Sequence, residues 1–333
     1  MSFIEKSEKR GGLARRVFLF LGLGFLTFLI GGFFWATSTP GTSWDEPIGT
    51  PEDLELQTRL EEHILRLANT PRSLASATSM MRAQEYIEFE LVSLGYDVKR
   101  QEVVPPANNL IVSIAAKDAS APTLIVGAHY DTVPKSPGAD DNASGIAVLL
   151  ELARQLKSRD GLVANNIELV FYANEEPPYF KTSAMGSYVH AQSIDDPDRV
   201  LGMISLETMG YFSDEPGSQN YPFPLSLRYP STGNFIAFAG DTSSRDFLRR
   251  TVSEFRDHAK LPSVGGTMPS VVQGIDWSDH WAYSAAGIPA FMITDTAIFR
   301  NPHYHRESDT PDTLDYTRMA LIVEALQKTI LAE

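Results

Sequence analysis

Short apolar runs alternate with helical patterns from about residue 120 to the C-terminus, and this alternation restricts the possible folds more than any other feature. The runs Thr123–Ala128, Ile167–Tyr172 and Val200–Leu206 are dense in apolar and β-branched residues, as buried strands are. Apolar residues then recur at helical spacing from Ser144 to about Lys157. The pattern predicts an α/β fold, a three-layer α/β/α sandwich whose central sheet is mixed and mostly parallel.

The N-terminus holds a run of 20 residues without charge, Val17–Ala36. A helix of that length spans the roughly 30 Å hydrocarbon core of a bilayer. Five basic and two acidic side chains give residues 1–16 a net charge of +3, which predicts that this tail stays in the cytoplasm. A cleaved signal peptide is the alternative, but its apolar region is usually shorter, and the sequence after Trp35 offers no good small-x-small cleavage site. We therefore predict an uncleaved single-pass anchor, with the following domain in the periplasm or outside the cell.

These features divide the chain into four predicted segments. Residues 1–16 form the basic cytoplasmic tail, 17–36 the transmembrane anchor, 37–53 a linker rich in Pro, Gly, Ser and Thr, and 54–333 one large domain. The net charge of −14 argues against nucleic acid as a partner. Because the chain has no cysteine, any metal must be held by His, Asp and Glu. The sequence gives no oligomeric state.

Polar clusters follow the predicted strands where each strand ends, and two more lie in a Pro/Gly-rich loop and near the C-terminus. In α/β sheets the active site lies at the carboxyl ends of the strands, so we expect these clusters to meet there. Imidazoles and carboxylates are ligands that zinc accepts in a site open to water. The clustered residues are His129, Asp131, Asp140, Asp141, Glu175, Glu176, Glu207, His303, His305 and Asp309.

The adjacent pair Glu175 and Glu176 comes directly after an apolar strand. Successive side chains of an extended segment point to opposite sides, so one carboxylate can ligate a metal while the other faces a substrate. Two surface acids on a solvated loop are the alternative, and the apolar run Val170–Tyr172 before them favours burial.

The ordered motifs HxD, GADDNASG, NEE, an acid after a strand, and YHxxxDT resemble the co-catalytic zinc exopeptidases of metallopeptidase family twenty-eight. That family includes aminopeptidase S, aminopeptidase Y and bacterial leucyl aminopeptidases, and the resemblance covers about residues 55–333. It implies two Zn²⁺ ions. By position, His129 and Glu207 would hold the first ion and Glu176 and His305 the second, while Asp141 would bridge both.

The resemblance also implies roles for residues that are not ligands. Glu175 would be the general base and acid, and Asp131 would orient the imidazole of His129. Tyr304 matches a tyrosine that in some members hydrogen-bonds the developing oxyanion. The peptide bond Asp141–Asn142 would be cis, and Asp140 would be a neighbour of the metals and not a ligand.

The implied function is a membrane-anchored zinc exopeptidase, with aminopeptidase as the leading reading, that acts on peptides or small proteins with a free terminus. A glutaminyl cyclase with a single working zinc stays open, as does a carboxypeptidase in which Arg300 or Arg306 holds a substrate carboxylate. A non-catalytic receptor is disfavoured because every ligand and Glu175 are present. Many relatives have Asp where this chain has Glu207. Ser278-Asp279-His280 resembles a family motif near the substrate but also fits an ordinary helix N-cap.

Overall fold

In the computed structural model, which describes residues 2–333 and the side chains of residues 18–333, an eight-stranded sheet forms the centre of the larger of two units, residues 39–333. The strands are β1 (Lys99–Val104), β2 (Ala107–Ile114), β3 (Thr123–His129), β4 (Asn166–Tyr172), β5 (Val200–Glu207), β6 (Ile236–Asp241), β7 (Ser263–Met268) and β8 (Ala290–Thr294). Across the sheet they lie in the order β1-β2-β4-β3-β5-β8-β6-β7. The pairs β3/β4, β3/β5, β5/β8 and β6/β7 are parallel, and β1/β2, β2/β4 and β6/β8 are antiparallel. The sheet is therefore mixed and mostly parallel, as predicted.

Helices cover both faces of this sheet. They are α2 (Leu54–Leu67), α3 (Ala77–Ser93), α4 (Gly145–Lys157), α5 (Gly186–Gln192), α6 (Arg245–His258), α7 (His280–Ala285), α8 (Ala297–Arg300) and α9 (Tyr316–Ala332). The buried residues of α2, α3, α4, α6 and α9 share one apolar core with the sheet, and those of α5 and α7 form a second core on the opposite face. Two cores separated by one sheet confirm the three-layer α/β/α sandwich.

Three local features differ from the sequence-based expectations. The two edge strands, β1 and β7, carry charged side chains or adjacent glycines and give no strand signal. The helical pattern begins at Ser144, but α4 begins at Gly145 and Ser144 does not cap it with its side chain; the Ser144 hydroxyl donates to the carbonyl of Asp140 at 2.6 Å. The predicted linker is held against the domain from Thr39 onward, for example by the bond from the Ser263 N–H to Ser43 Oγ at 2.8 Å.

The smaller unit, up to Ser38, consists of helix α1 (Ser2–Thr37) and the residue after it. Its segment Phe18–Thr37 has 20 residues with a mean hydropathy of 2.1 and is long and apolar enough to cross a membrane. A signal sequence has the same properties, so the anchor stays a prediction. The predicted basic tail, residues 1–16, lies outside the residues whose side chains the structure describes.

Candidate metal centre

The parallel strands β4, β3 and β5 are neighbours in that order, so their carboxyl ends lie side by side. His129 is the last residue of β3, and Glu207 is the last residue of β5. Glu175 and Glu176 follow the end of β4 by three and four residues. The sheet therefore brings the polar clusters predicted at separate strand ends to one edge.

The five predicted ligands form two groups of three that share one carboxylate. In the first group, His129 Nε2 lies 3.3 Å from Glu207 Oε2 and 3.5 Å from Asp141 Oδ1. In the second group, His305 Nε2 lies 3.0 Å from Asp141 Oδ2 and 3.3 Å from Glu176 Oε1. Within each group the candidate ligand atoms all lie within 4.8 Å of one another. Each oxygen of Asp141 faces a different group, as a bridging ligand requires.

The charges and the unpaired atoms of this cluster fit a site that holds dications better than a site without metal. The atoms His129 Nε2 and Glu176 Oε1 are buried without a hydrogen-bond partner, and both point into the groups described above. Burial and the neighbouring Asp141 raise the pKa of Glu176 to about 8 in the chain alone. Burial of several negatively charged carboxylates close together costs free energy unless a cation offsets their charge. A donor set of imidazoles and carboxylates is one that zinc accepts.

Asp131 holds the two glutamates in place through their backbone. Its Oδ1 accepts the N–H of Glu175 at 2.9 Å, and its Oδ2 accepts the N–H of Glu176 at 3.0 Å. His129 Nδ1 lies 3.2 Å from the main-chain oxygen of Asp131 and 3.5 Å from its carboxylate. The sequence reasoning named Asp131 for the imidazole and missed that its carboxylate also fixes both glutamates.

The turn that carries Asp141 is fixed by residues outside it. The Asp141–Asn142 peptide bond is cis, which confirms that prediction. The carboxylate of Asp309 accepts the N–H groups of Asp140 at 2.9 Å and Asp141 at 3.2 Å. The side chain of Asp140 accepts from Asn301 Nδ2 at 2.7 Å and lies in neither ligand group, as expected of a neighbour.

A buried arginine, which the sequence reasoning did not single out, secures the loop before this turn. The Arg72 guanidinium donates to the carbonyls of Tyr130, Leu67, Pro137 and Gly138 at 2.6–2.9 Å. Burial lowers its pKa to about 10. No local sequence pattern points to this role, because the carbonyls come from chain segments up to 66 residues away.

Residues 109–330 match the sequence profile of peptidase family M28. The chain belongs to peptidase family M28. It is therefore a peptidase, and the resemblance read from the motifs is confirmed.

Relatives of this M28 peptidase include proteins with and without an assigned activity. The chain is 39% identical over 304 residues to the uncharacterized protein YfbL of Escherichia coli, covering 88% of this chain and 90% of YfbL. It is 27% identical over 208 residues to a probable leucine aminopeptidase 1 of Trichophyton verrucosum, covering 59% of this chain and 50% of that protein. The match thus spans about half the length of that aminopeptidase.

Solved structures share the fold at low sequence identity. The LapA aminopeptidase of Legionella pneumophila superposes with a TM-score of 0.64 at 19% identity, covering 86% of this chain and 76% of LapA. A glutaminyl cyclase of Tannerella forsythia gives a TM-score of 0.60 at 20% identity, covering 86% of this chain and all of the cyclase chain. Both types of enzyme have the architecture of this M28 peptidase.

Glu175 and Tyr304 lie beside the ligand groups of the peptidase. Glu175 Oε2 is 3.9 Å from His129 Nε2, and the side chain is almost fully buried. Burial, opposed by His129 and reinforced by Glu207, raises the pKa of Glu175 well above its usual value. The ring of Tyr304 stacks on the imidazole of His305 with centroids 3.9 Å apart.

Ser278 contacts one of the candidate metal ligands. Its hydroxyl donates to Glu207 Oε2 at 2.7 Å and contacts Ser205 Oγ at 2.8 Å. Asp279 is fully buried and makes no capping hydrogen bond to α7. The sequence allowed two roles for the Ser278-Asp279-His280 motif, a site near the substrate or a helix N-cap. In the structure, Ser278 of this motif helps to hold the side chain of Glu207 in position.

Two cavities border the candidate metal centre, one beside Glu207 of the first ligand group and the other beside Glu176 of the second. An apolar cavity of about 870 Å³, open solvent at its mouth included, begins at Glu207 and Tyr304. Its floor is the outer part of the sheet, where Ala239 of β6 pairs with Gly266 of β7 and Met292 of β8. A second cavity begins at Asp131 and Glu176 and is bounded by residues 73–75 and 177–179. Among the residues that the structure describes, no Lys or Arg lines either cavity.

Proposed function

We propose that this M28 peptidase is a di-zinc aminopeptidase that removes large apolar residues from the N-terminus of peptides. The observation that carries the proposal is the pair of ligand groups that share Asp141, each with an unpaired buried ligand atom. His129 and Glu207 would hold one zinc ion, Glu176 and His305 the other, and Asp141 both.

Zinc bound there would supply Lewis-acid chemistry and make a water nucleophile available near neutral pH. Glu175 accepts the proton of the attacking water and donates it to the leaving amine. Three features support this role: the side chain lies next to the first ligand group, its main chain is fixed by Asp131, and burial makes its carboxylate more basic. Tyr304, stacked on His305, stabilises the oxyanion of the peptide carbonyl as a hydrogen-bond donor.

The charge around the site favours an α-ammonium group over an α-carboxylate in the substrate. The acidic side chains of the centre attract a cation, and no described Lys or Arg lines either cavity. Arg300, one of the two candidates for a carboxylate site, is buried, donates to Gln219 Oε1 at 2.7 Å and lies 4.4 Å from the ring of Phe235. Arg306 is exposed and lines neither cavity. These observations favour an aminopeptidase over a carboxypeptidase.

The apolar cavity supports a preference for a large apolar terminal residue. Small residues form its floor and aromatic residues much of its wall, so an aliphatic or aromatic side chain would fill it. The second cavity, at the other ligand group, leaves room for the rest of the peptide.

We also propose that α1 anchors the enzyme as a single-pass membrane protein, with its N-terminus in the cytoplasm and its catalytic domain outside. The length and hydropathy of Phe18–Thr37 and the basic charge of residues 1–16 support this topology.

The decisive experiment is a substrate panel run with the full-length protein in detergent. Leucyl, phenylalanyl, alanyl and lysyl peptides are compared with the same peptides acetylated at the N-terminus and with a peptide that begins with glutamine. We expect release of apolar N-terminal residues, no reaction with acetylated peptides, loss of activity with a chelator and recovery with Zn²⁺. Pyroglutamate formation without release would identify a glutaminyl cyclase, release only from the C-terminus a carboxypeptidase, and no reaction at all a receptor.

A further inference from the structure

Five large apolar side chains are exposed in chain segments that contribute to the lining of the apolar cavity, and we call them the collar: Phe223, Leu227, Val271, Trp277 and Ile298. The exposed fractions of the first three are 80%, 75% and 91%. Large apolar patches on a protein surface mark interaction sites.

The collar residues come from two loops and the short helix α8, each of which contributes residues to the cavity lining. Tyr221 and Leu225 line the cavity, and Phe223 and Leu227 project from the same loop. Trp277 and Ile298 line it themselves. The first loop is held by its own contacts, including the bond from Tyr221 Oη to the carbonyl of Pro230 at 2.7 Å. Its apolar side chains are therefore kept exposed by an ordered loop.

Three of the five collar residues, Phe223, Leu227 and Val271, lie in stretches of the chain without acidic residues. Residues 216–240 and 258–275 contain no Asp or Glu, although the chain has 42 of them. Arg228, next to Leu227, is exposed. A surface with exposed apolar side chains and an arginine suits the interface of an anionic bilayer, which would repel the rest of this acidic domain.

The first residues of the larger unit, Thr39 and Pro40, are held beside β7. Arg256 Nη1 donates to Thr39 Oγ1 at 3.0 Å and to the carbonyl of Pro40 at 2.6 Å, while the same guanidinium donates to Ser263 of β7. Gly265, two residues further along β7, lines the cavity. Thr39 follows the last residue of α1 by two positions, a tether of about 7 Å when extended.

We propose that the collar docks on the surface of the lipid bilayer and holds the apolar cavity at the membrane interface. The inference rests on the proposed membrane anchor. At the bilayer surface the exposed collar side chains gain an apolar environment. Peptides that partition to the membrane by an apolar N-terminus would then meet the cavity directly.

The absence of cysteine from the chain makes a site-specific test direct. Val271→Cys is labelled with nitrobenzoxadiazole in the full-length protein, which is reconstituted in phosphatidylcholine–phosphatidylglycerol vesicles. Leu162→Cys, in the turn before β4 and 69% exposed, is the matched control. We expect lipids with a spin label on the acyl chain to quench the label at position 271 at least about twofold more than the label at 162. The double variant Phe223→Glu and Leu227→Glu, neither of which lines the cavity, should hydrolyse soluble peptides normally and abolish the quenching difference at position 271.

Equal quenching at the two positions, in protein that floats with the vesicles, would overturn the inference and leave the anchor intact. Fluorescence at position 271 that depends on the protein-to-lipid ratio, and not on the lipid quencher, would overturn it in favour of an interface between copies of the chain. Protein that does not float with vesicles would remove the anchor, and the inference with it, without affecting the peptidase assignment.

Discussion

Replacement of Glu175 by glutamine separates proton transfer from metal binding. The substitution keeps the size and shape of the side chain. It also keeps the backbone N–H that donates to Asp131 Oδ1 at 2.9 Å, so the loop should hold its position. What it removes is the carboxylate that would accept the proton of the attacking water.

The expected loss of activity in Glu175→Gln follows from the usual contribution of a general base and from the burial of Glu175. General base catalysis contributes about 10²–10⁴-fold, which corresponds to about 2.7–5.4 kcal/mol of transition-state stabilisation. Because Glu175 is buried, bulk water does not replace it freely as the base. We therefore expect kcat for a leucyl peptide to fall at least about a hundredfold in Glu175→Gln, with zinc content and thermal stability unchanged.

Glu176→Gln is the matched control. It makes the same chemical change in the adjacent residue, whose carboxylate lies beside His305. Glu176 Oε1 lies 3.3 Å from His305 Nε2, so this variant should lose zinc as well as activity. Zinc content is measured by plasma mass spectrometry and turnover on the same preparation. Near-normal turnover in Glu175→Gln would refute its role as base, and loss of zinc from that variant would show that the two glutamates have exchanged roles.

Three further predictions test the support of the site and its specificity. Asp131→Asn should lower zinc affinity about 10- to 100-fold, measured by competition with a chromophoric chelator, because its carboxylate holds the backbone of both glutamates; unchanged affinity would contradict this. Ala239→Phe should fill the cavity floor and lower kcat/KM for a phenylalanyl peptide at least about tenfold more than for an alanyl peptide; equal losses would argue against the cavity as the side-chain site. Gly127→Ala would place a methyl group 2.2 Å from Tyr172 Cε2 and should lower the free energy of unfolding by about 1–3 kcal/mol in denaturant titrations; no loss would mean that the ring moves freely.

The centre of the sheet can be predicted from the sequence because strands buried on both faces need continuous apolar runs. The predicted run Thr123–Ala128 and the observed β3 differ by one residue. The edge strands escape such prediction, since β1 has exposed charged side chains and β7 has two adjacent glycines. Their strand character comes from pairing with neighbours and not from local preference.

The ligand candidates are visible in the sequence because each lies in a polar cluster: beside an apolar strand, before a helix start or, for His305, in a loop near the C-terminus. The contacts that hold them are not, because they join distant segments. Arg72 reaches carbonyls up to 66 residues away, and Asp309 binds a turn 168 residues earlier in the chain. The apolar cavity likewise depends on strand register, which places Ala239 between Gly266 and Met292. The catalytic and ligand roles themselves stay predictions.

The number and position of bound zinc ions test the central claim most directly. Crystals of the zinc-loaded protein, measured at the zinc absorption edge, should show two anomalous peaks per chain. We expect one peak beside His129 and Glu207, the other beside Glu176 and His305, and Asp141 in contact with both. A single peak after zinc has been added back, or two peaks of which Asp141 touches only one, would contradict the shared-carboxylate site.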